Sequence, residues 1–225
     1  MEALLDFSAA IAADESVRCV VIESEGPSWC SGYHLGALAT GGPPNPDAPR
    51  RGFGEACDAL AGLAVPTIAV LGGSVHGGGT DLAMSCDFRV AADHIVLAMP
   101  AAKIGLQYYA TGLQRFVERI GPTATKRIFL TAETISADEL LRLGYLTDLV
   151  PAERLELRVD ELCHAIGQLA PGAVRATKAA IDELAGLEPD LGKVQAGHLA
   201  SLRSHDHREA MKALTEKRPP KFTGT

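Results

Sequence analysis

Residues 65–93 read VPTIAVLGGSVHGGGTDLAMSCDFRVAAD, and this stretch decides the fold class. An apolar, β-branched run predicts a buried strand, and DLAMSC after it predicts a short helix before the next strand. Between them stand Gly77, Gly78 and Gly79. Glycine loses more conformational freedom on folding than any other residue, so three together indicate a close approach to the backbone that side chains would prevent. We therefore expect a ligand to reach the backbone at this strand exit.

Strands and helices alternate on both sides of this stretch. The opening residues carry apolar side chains at helical spacing, VRCVVIESEG predicts a buried strand, and GFGEACDALAGLA predicts a helix after a Pro- and Gly-rich loop at 39–52. VPTIAVLGGSVHGG is predicted as one strand, and DFRVAADH and IVLAMP as two more. From TGLQRFVERIG onward the pattern is mostly helical. This alternation is typical of an α/β fold whose sheets are at least partly parallel.

Composition excludes several classes of protein. The chain has 225 residues, of which 47% are apolar and 22% charged, which suits one domain with a substantial core. The 28 acidic against 21 basic side chains argue against nucleic-acid binding. Five widely spaced cysteines form neither a disulfide framework nor a metal knuckle, which fits a reducing cytoplasm. No apolar run approaches the ~20 residues of a membrane span, and the first residues lack the basic start of a signal peptide. We expect no membrane, nucleic-acid or metal partner.

Two segments follow predicted strands and place glycine at the strand exit. They are WCSGYHL at 29–35 and VHGGGTDL at 75–82. In α/β sheets ligands bind beyond the carboxyl ends of the strands, so two such exits aim two backbone N–H groups at one point. A pair of these donors, one of them at a helix N-terminus, is the usual construction of an oxyanion hole.

The order and spacing of 17–35, 65–93, 99–150 and the terminal EKRPPKF resemble the crotonase superfamily, the enoyl-CoA hydratase/isomerase enzymes. The resemblance covers essentially the whole chain. It implies an α/β fold of the crotonase type: a ββα spiral with two nearly perpendicular sheets in residues 1–165, and a C-terminal helical trimerisation region in 166–225. It also implies a cytoplasmic lyase or isomerase of fatty acid metabolism that assembles as a homotrimer or a dimer of trimers.

The resemblance further implies an acyl-CoA thioester substrate, with coenzyme A as part of that substrate and no separate cofactor. The carbonyl oxygen of the thioester would lie between the backbone N–H groups of Tyr33 and Gly78. These two donors would stabilise the enolate form of the thioester. Loss of one such donor typically costs about 2.7–4 kcal/mol of transition-state stabilisation. Lys217 matches a lysine that approaches the CoA phosphates across a subunit boundary, although an exposed surface lysine is the plainer interpretation. The remaining substrate-binding candidates around the two strand exits are Ser31, Gly32, His34, Leu35, His76, Gly77 and Gly79.

The acid and base positions depart from the family pattern. Typical hydratases place two carboxylates around the attacking water; here the first position is Asp81 and the second is Ala101, which has no proton to give. General acid–base help is commonly a ~10²–10⁴-fold effect, so hydration lacks half of its groups. Asp81 on its own is also explained as a carboxylate that satisfies N–H groups at a helix start.

Tyr108 and Tyr109 stand where some family members carry a catalytic tyrosine or aspartate. Methylmalonyl-CoA decarboxylases resemble this chain in combining a non-acidic residue at the second carboxylate position with a tyrosine aligned to Tyr108. Decarboxylation suits such a site because CO2 leaves without a base. Two alternatives stay open: the tyrosines line an apolar acyl pocket, or the protein binds acyl-CoA without turnover.

The front of the chain also departs from the family. By comparison, ~25 residues of paired strands that help to seat the CoA adenine are missing, which predicts an exposed sheet edge unless an oligomer covers it.

Overall fold

The strands form two four-stranded sheets. The computed structural model describes residues 1–32 and 52–225. In the first sheet all neighbouring strands are parallel, and in the second only the last pair is antiparallel. The first sheet has the order β1 (Val20–Ile22), β3 (Thr67–Leu71), β5 (Phe88–Ala92) and β8 (Asp148–Val150); the second has the order β2 (Ser28–Cys30), β4 (Ser74–His76), β6 (Val96–Ala98) and β7 (Thr134–Ser136).

Helices connect and surround these sheets. The first lies at the front of the chain, and the last three follow one another without an intervening strand. Their bounds are α1 (Glu2–Ala13), α2 (Phe53–Ala61), α3 (Gly78–Met84), α4 (Ala110–Thr131), α5 (Ala137–Arg142), α6 (Leu155–Gly167), α7 (Pro171–Ala185), α8 (Leu191–Ser201) and α9 (His205–Glu216). This confirms the predicted α/β class with a helical C-terminal part; the division at residue 165 stays a prediction.

The prediction of one strand across residues 65–76 is wrong, because these residues form two strands that belong to two different sheets. The chain turns at Gly72 and Gly73, and β3 and β4 then pair with different partners. A Cβ on Gly73 would lie 2.6 Å from the carbonyl oxygen of Pro27 and 2.9 Å from the backbone nitrogen of Trp29. Only glycine therefore lets the chain pass so close to the start of β2.

The core lies between the sheets and the helices that cover them. All five residues of β3 are buried, as expected for a parallel strand covered on both faces. Phe116 of α4 and Tyr145 after α5 are among the largest fully buried side chains. Each such side chain contributes about 1.5–3 kcal/mol by leaving water. The core thus fixes α4 against α3, which is the contact that builds the site.

The long helix α4 is broken near its middle. Gly121 has φ 73° and ψ 166°, outside the helical region, and Pro122 follows it. Proline at the first position of the second segment has no N–H to lose, so the break is tolerated. The helical pattern predicted from TGLQRFVERIG onward is confirmed in both halves of α4.

The first sheet begins and ends on short strands. β1 stands at one edge, and its Val21 side chain is 39% exposed. That an oligomer covers this edge stays a prediction.

Candidate active site

The two predicted glycine segments meet through their backbones. Gly32 follows β2, and a Cβ placed on it would lie 2.7 Å from the carbonyl oxygen of His76 and 3.1 Å from the nitrogen of Gly78. Gly32 has φ +80° and Gly77 has φ +53°, which side chains rarely adopt. The glycines thus bring the exit of β2 against the start of α3. Three of the predicted site residues, Tyr33, His34 and Leu35, lie outside the described residues, as does most of the Pro- and Gly-rich loop at 39–52.

The three consecutive glycines have different surroundings. The Gly77 N–H donates to the carbonyl oxygen of Ala98 at 2.9 Å, so it is engaged within the second sheet. Gly79 packs against Cys30, where a Cβ would lie 2.6 Å from the Cys30 Cβ. The Gly78 N–H opens α3, and within residues 1–32 and 52–225 no acceptor is hydrogen-bonded to it. The Gly79 N–H likewise has no acceptor within the described residues, so Gly77 is the one of the three whose backbone donor is already engaged, and Gly78 stays the predicted donor.

An aromatic ring covers Gly78 from α2. A Cβ on Gly78 would lie 3.1 Å from the ring Cζ of Phe53, and one on the neighbouring Gly54 would lie 2.9 Å from the Tyr109 ring. The first residues of α2 therefore touch both the backbone donor and a tyrosine. This contact places Tyr109 on the Phe53 side of Gly78.

Asp81 lies one helical turn beyond Gly78 and is fully buried. Its Oδ2 accepts hydrogen bonds from the hydroxyl groups of Tyr108, at 3.2 Å, and Tyr109. Its Oδ1 accepts from Nη1 of Arg115. The structure thus brings together three predicted residues, Asp81, Tyr108 and Tyr109, around a cation that the sequence had not indicated.

Arg115 connects this cluster to a second carboxylate. Its Nη2 donates to Oδ1 of Asp58 on α2, and the Thr111 hydroxyl donates to the other Asp58 oxygen at 3.1 Å. Arg115 is 7% exposed. A buried arginine needs an acidic partner. The sequence pattern that could have indicated this ion pair is the position of Arg115 on the face of α4 that also carries Gly112 and Phe116.

The tyrosines reach Asp81 because of the way α4 begins. Gly105, with φ +71°, ends a 3-10 turn at Ala101–Ile104, and Tyr109 is the N-cap residue of α4. The rings of Tyr108 and Tyr109 are 4.6 Å apart between centroids. A Cβ on Gly112 would lie 2.6 Å from Cε1 of Tyr108, 2.8 Å from Oδ2 of Asp81 and 2.9 Å from Cζ of Tyr109. Gly112 therefore leaves the space in which the three side chains meet.

The electrostatics of the cluster keep both phenols protonated. Burial, and then the negative charge of Asp81, raise the pKa of Tyr108 and of Tyr109 above the ordinary value. Burial also raises the pKa of the nearby Cys57 thiol to about 12, with Asp81 adding to the shift. For Arg115 burial lowers the pKa, but Asp81 and its hydrogen bonds outweigh this and the net pKa is raised. At neutral pH the two phenols are hydrogen-bond donors.

The remaining predicted residues stand apart from this cluster. Ala101 is 7% exposed and packs into the core, so this position supplies only a methyl group. His76 ends β4 half-buried and Ser31 is exposed. Lys217 is exposed just after α9 with φ +52°. Their predicted contacts with substrate stay predictions.

A cleft of about 1120 Å³ opens on the far side of Arg115. Its lining includes Asp58, Arg115 and Lys178 together with the apolar side chains of α7, but neither Gly78 nor the two tyrosines. We place the candidate active site at Gly78 and not in this cleft, because the cleft is not lined by the groups that could take part in the reaction.

The described part of the chain contains no group of three or more His, Cys, Asp or Glu side chains arranged to hold a metal ion. In that same part, no helix combines the length and apolarity needed to cross a membrane.

Comparison with known proteins identifies the family and supports this fold. The family model described as enoyl-CoA hydratase/isomerase matches residues 1–225. The chain is 32% identical over 219 residues to carnitinyl-CoA dehydratase from Proteus mirabilis, covering 94% of this chain and 83% of that protein. It is 28% identical to a probable mitochondrial enoyl-CoA hydratase 2 from Arabidopsis thaliana, covering 94% and 71%. The crystal structure of enoyl-CoA hydratase from Bacillus anthracis superimposes with a TM-score of 0.89 at 28% identity, covering 100% of this chain and 88% of that one.

Proposed function

Because this chain belongs to the enoyl-CoA hydratase/isomerase family and is an acyl-CoA enzyme of that family, we propose that its reaction passes through a thioester enolate bound by the backbone N–H groups of Gly78 and Tyr33. The observation that carries the proposal is the contact between Gly32 and Gly78, with the Gly78 N–H at the start of α3. A donor fixed in the backbone is already in place when negative charge develops on the thioester oxygen. The reaction needs no cofactor beyond the coenzyme A carried by the substrate.

A matched pair of substitutions tests the donor. Gly78 is the first residue of α3, a position where proline is tolerated, so Gly78→Pro removes the N–H without breaking the helix. Gly78→Ala keeps the N–H and adds the Cβ that proline also adds against Phe53, without the rest of the proline ring. We expect Gly78→Pro to lower kcat by about 10²–10³-fold or more, and Gly78→Ala to retain most activity.

The assay for this pair is exchange of the α-protons of butyryl-CoA in deuterium oxide, because exchange reports the enolate whichever product the enzyme makes. Wild-type protein that exchanges no α-proton and turns over no acyl-CoA would contradict the proposal and favour a non-catalytic acyl-CoA binder. Calorimetry with the same thioester then shows whether it binds. Equal exchange rates in the proline and alanine variants would exclude Gly78 as the donor.

Decarboxylation is the second candidate, and the Asp81 cluster favours it. Each Asp81 oxygen already accepts a hydrogen bond from a side chain, and Ala101 offers no second carboxylate. A water nucleophile therefore meets no pair of carboxylates. In decarboxylation the bond from the α-carbon to the carboxylate breaks, its electron pair forms the enolate, and CO2 leaves; a proton then adds to the α-carbon. None of these steps needs a strong base.

Two assays side by side separate the candidates. Crotonyl-CoA hydration that survives Tyr108→Phe and is abolished by Asp81→Asn would exclude the decarboxylase. Methylmalonyl-CoA decarboxylation by the wild-type protein, with hydration absent, would exclude the hydratase. In the second case we expect Tyr108→Phe to slow decarboxylation, because the phenol would then be the proton donor.

A further inference from the structure

A continuous chain of charged and polar groups runs from the surface to the candidate active site. Side-chain exposure falls along it from 44% at Asp58 to 8% at Arg115 and 0% at Asp81. Beyond Asp81 the chain ends at the hydroxyl groups of Tyr108 and Tyr109. We call the first pair, Asp58 and Arg115, the clamp.

The clamp joins three separate elements. Asp58 lies on α2, Arg115 on α4, and Asp81 on α3. Asp58 is itself held at both oxygens, by Arg115 and by Thr111. Arg115 therefore cannot turn away from Asp81 without also disturbing its hydrogen bond to Asp58, so two carboxylates on different helices together hold the guanidinium.

Among the described residues, the cation that touches Asp81 is Arg115. The other groups around Asp81 are neutral at pH 7: the two phenols, the buried Cys57 thiol on α2, and Tyr145, whose hydroxyl donates to the carbonyl oxygen of Thr80. A carboxylate in such surroundings keeps its charge only if a cation or several donors compensate it. Without the guanidinium, Asp81 would gain stability by taking up a proton.

Protonation would rearrange the cluster, because a carboxylic acid donates one hydrogen bond and has fewer positions that accept. Two phenols now donate to the same oxygen of Asp81. If that oxygen carried a proton, at least one phenol would have to turn away. The charge on Asp81 thus decides where both hydroxyl groups point.

We propose that Arg115, held by Asp58, is a positioning residue for the reaction: it keeps Asp81 charged and so fixes the hydroxyl groups of Tyr108 and Tyr109 at Asp81, one helical turn beyond Gly78. This inference rests on the proposed function, since it assigns a purpose to the phenols at the same site. It adds two residues, Arg115 and Asp58, that touch no reacting atom.

The kinetic test compares Arg115→Gln, Arg115→Lys and Arg119→Gln on the thioester that the wild-type protein turns over. Arg119 is the matched control: it lies one turn farther along α4 and also ties α4 to α3, but its guanidinium donates to the carbonyl oxygens of Met84 and Cys86. We expect Arg115→Gln to lower kcat by about 10²-fold with little change in KM, as misplacement of reacting groups does. In Arg115→Gln we also expect the acid limb of the plot of kcat against pH to move to higher pH. Arg115→Lys should restore part of the kcat value and part of the pH profile. Arg119→Gln should keep the wild-type pH profile.

A second measurement does not depend on activity. In Arg115→Gln the unpaired buried carboxylate binds its proton more tightly in the folded than in the unfolded chain. The protonated carboxyl group therefore favours the folded state at low pH, and this contribution is lost as the pH rises. The urea midpoint of Arg115→Gln should fall farther below the wild-type midpoint at about pH 8 than at about pH 5. Adding Asp81→Asn to Arg115→Gln removes this pH dependence, and Arg119→Gln lowers the midpoint by the same amount at both pH values.

The outcomes separate the clamp from the proposed function. Active wild-type protein with an Arg115→Gln variant of unchanged kcat and pH profile overturns the positioning role. A gap between the wild-type and Arg115→Gln midpoints that does not change with pH also overturns it, because Asp81 then does not depend on the guanidinium for its charge. Wild-type protein that turns over no acyl-CoA, with the expected urea pattern, contradicts the proposed function and leaves the clamp a structural ion pair only.

Discussion

At Gly112 one hydrogen atom in place of a methyl group decides whether Asp81 can meet both phenols. The site is crowded there because a Cβ would come within 3 Å of three different side chains. Local sequence patterns could not predict this role, since glycine inside a helix usually indicates only weaker helix propensity. The roles of Gly32 and Gly77 were more readable, because consecutive glycines after a strand indicate unusual backbone angles.

We expect Gly112→Ala to destabilise the fold by about 1–3 kcal/mol, because the added methyl group overpacks a buried cluster. Activity should fall further than stability does, since the methyl group pushes the Tyr108 ring and Asp81 apart. Urea unfolding and acyl-CoA turnover at matched folded fraction measure the two effects.

Gly197→Ala is the control for this substitution. Gly197 lies inside α8, and a Cβ there would have no heavy atom within 4 Å. Alanine should stabilise that helix by about 0.5–1 kcal/mol and leave turnover unchanged. If Gly112→Ala behaved like Gly197→Ala, the crowding at the Asp81 cluster would be of no consequence.

Among the elements, helices were more predictable than strands. The apolar spacing of α1, and the Gly–Pro break inside α4, could both be read from local patterns. The division of residues 65–76 into β3 and β4 could not, because it depends on which sheet each half pairs with. β7 was also missed: TIS is three residues long and is a strand because it pairs antiparallel with β6.

The C-terminal tail supplies a prediction at this scale. After α9, Arg218 forms two hydrogen bonds to Glu209, at 2.6 and 3.0 Å, and the Lys221 N–H donates to the same carboxylate at 2.9 Å. The hydrogen bonds from Arg218, and then that from Lys221, lower the pKa of Glu209 from 4.5 to about 2. A carboxyl group whose pKa is lowered by folding stabilises the folded form at every pH above its ordinary pKa. This stabilisation is lost as the pH falls toward about 2.

We therefore expect residues 217–222 to loosen from α9 as the pH falls from 4.5 to about 2, and Glu209→Gln to loosen them already at neutral pH. Amide hydrogen exchange, corrected for the intrinsic rate at each pH, measures this. The control is Glu183→Gln, because Glu183 pairs with Lys193 between α7 and α8 and does not touch the tail. Exchange in the tail that ignores both pH and Glu209→Gln would contradict the expectation.

For the molecule as a whole, the family and the fold class were predictable because order and spacing of motifs persist along the entire chain. The clamp was not, because Asp58 and Arg115 are 57 positions apart and lie on different helices. The C-terminal helices carry a third kind of information, since they leave large apolar side chains in contact with solvent. Within these helices and the turns between them they include Ile181, Leu187, Leu191, Leu199, Leu202 and Leu214.

We expect this surface to be covered in a homotrimer or a dimer of trimers, because exposed apolar side chains in such number favour association. Light scattering should then give three or six times the chain mass of 23.6 kDa. Leu187 is 85% and Leu214 71% exposed, so glutamate at both positions should lower the mass without unfolding the chain.

The control for the assembly is Leu130→Glu, which changes an equally exposed leucine, 73%, on α4 outside the C-terminal helices. It should leave the mass unchanged. A wild-type protein that is monomeric at every concentration, or an oligomer that dissociates with Leu130→Glu instead, would contradict the expected location of the interface.

The turn at Gly72 and Gly73 limits how far the backbone before Gly78 can move when a substrate binds. Three Cα–Cα steps join Leu71 at the end of β3 to Ser74 at the start of β4, so these strand ends cannot separate by more than about 11 Å. Gly73 is further confined by the backbone of Pro27 and Trp29. The start of β4, the strand that leads into Gly78, is consequently held close to the end of β3 and to the start of β2. For the proposed anion site this means that the backbone leading into Gly78 is held in place by the fold, so the proposed donor would not have to be assembled by the substrate.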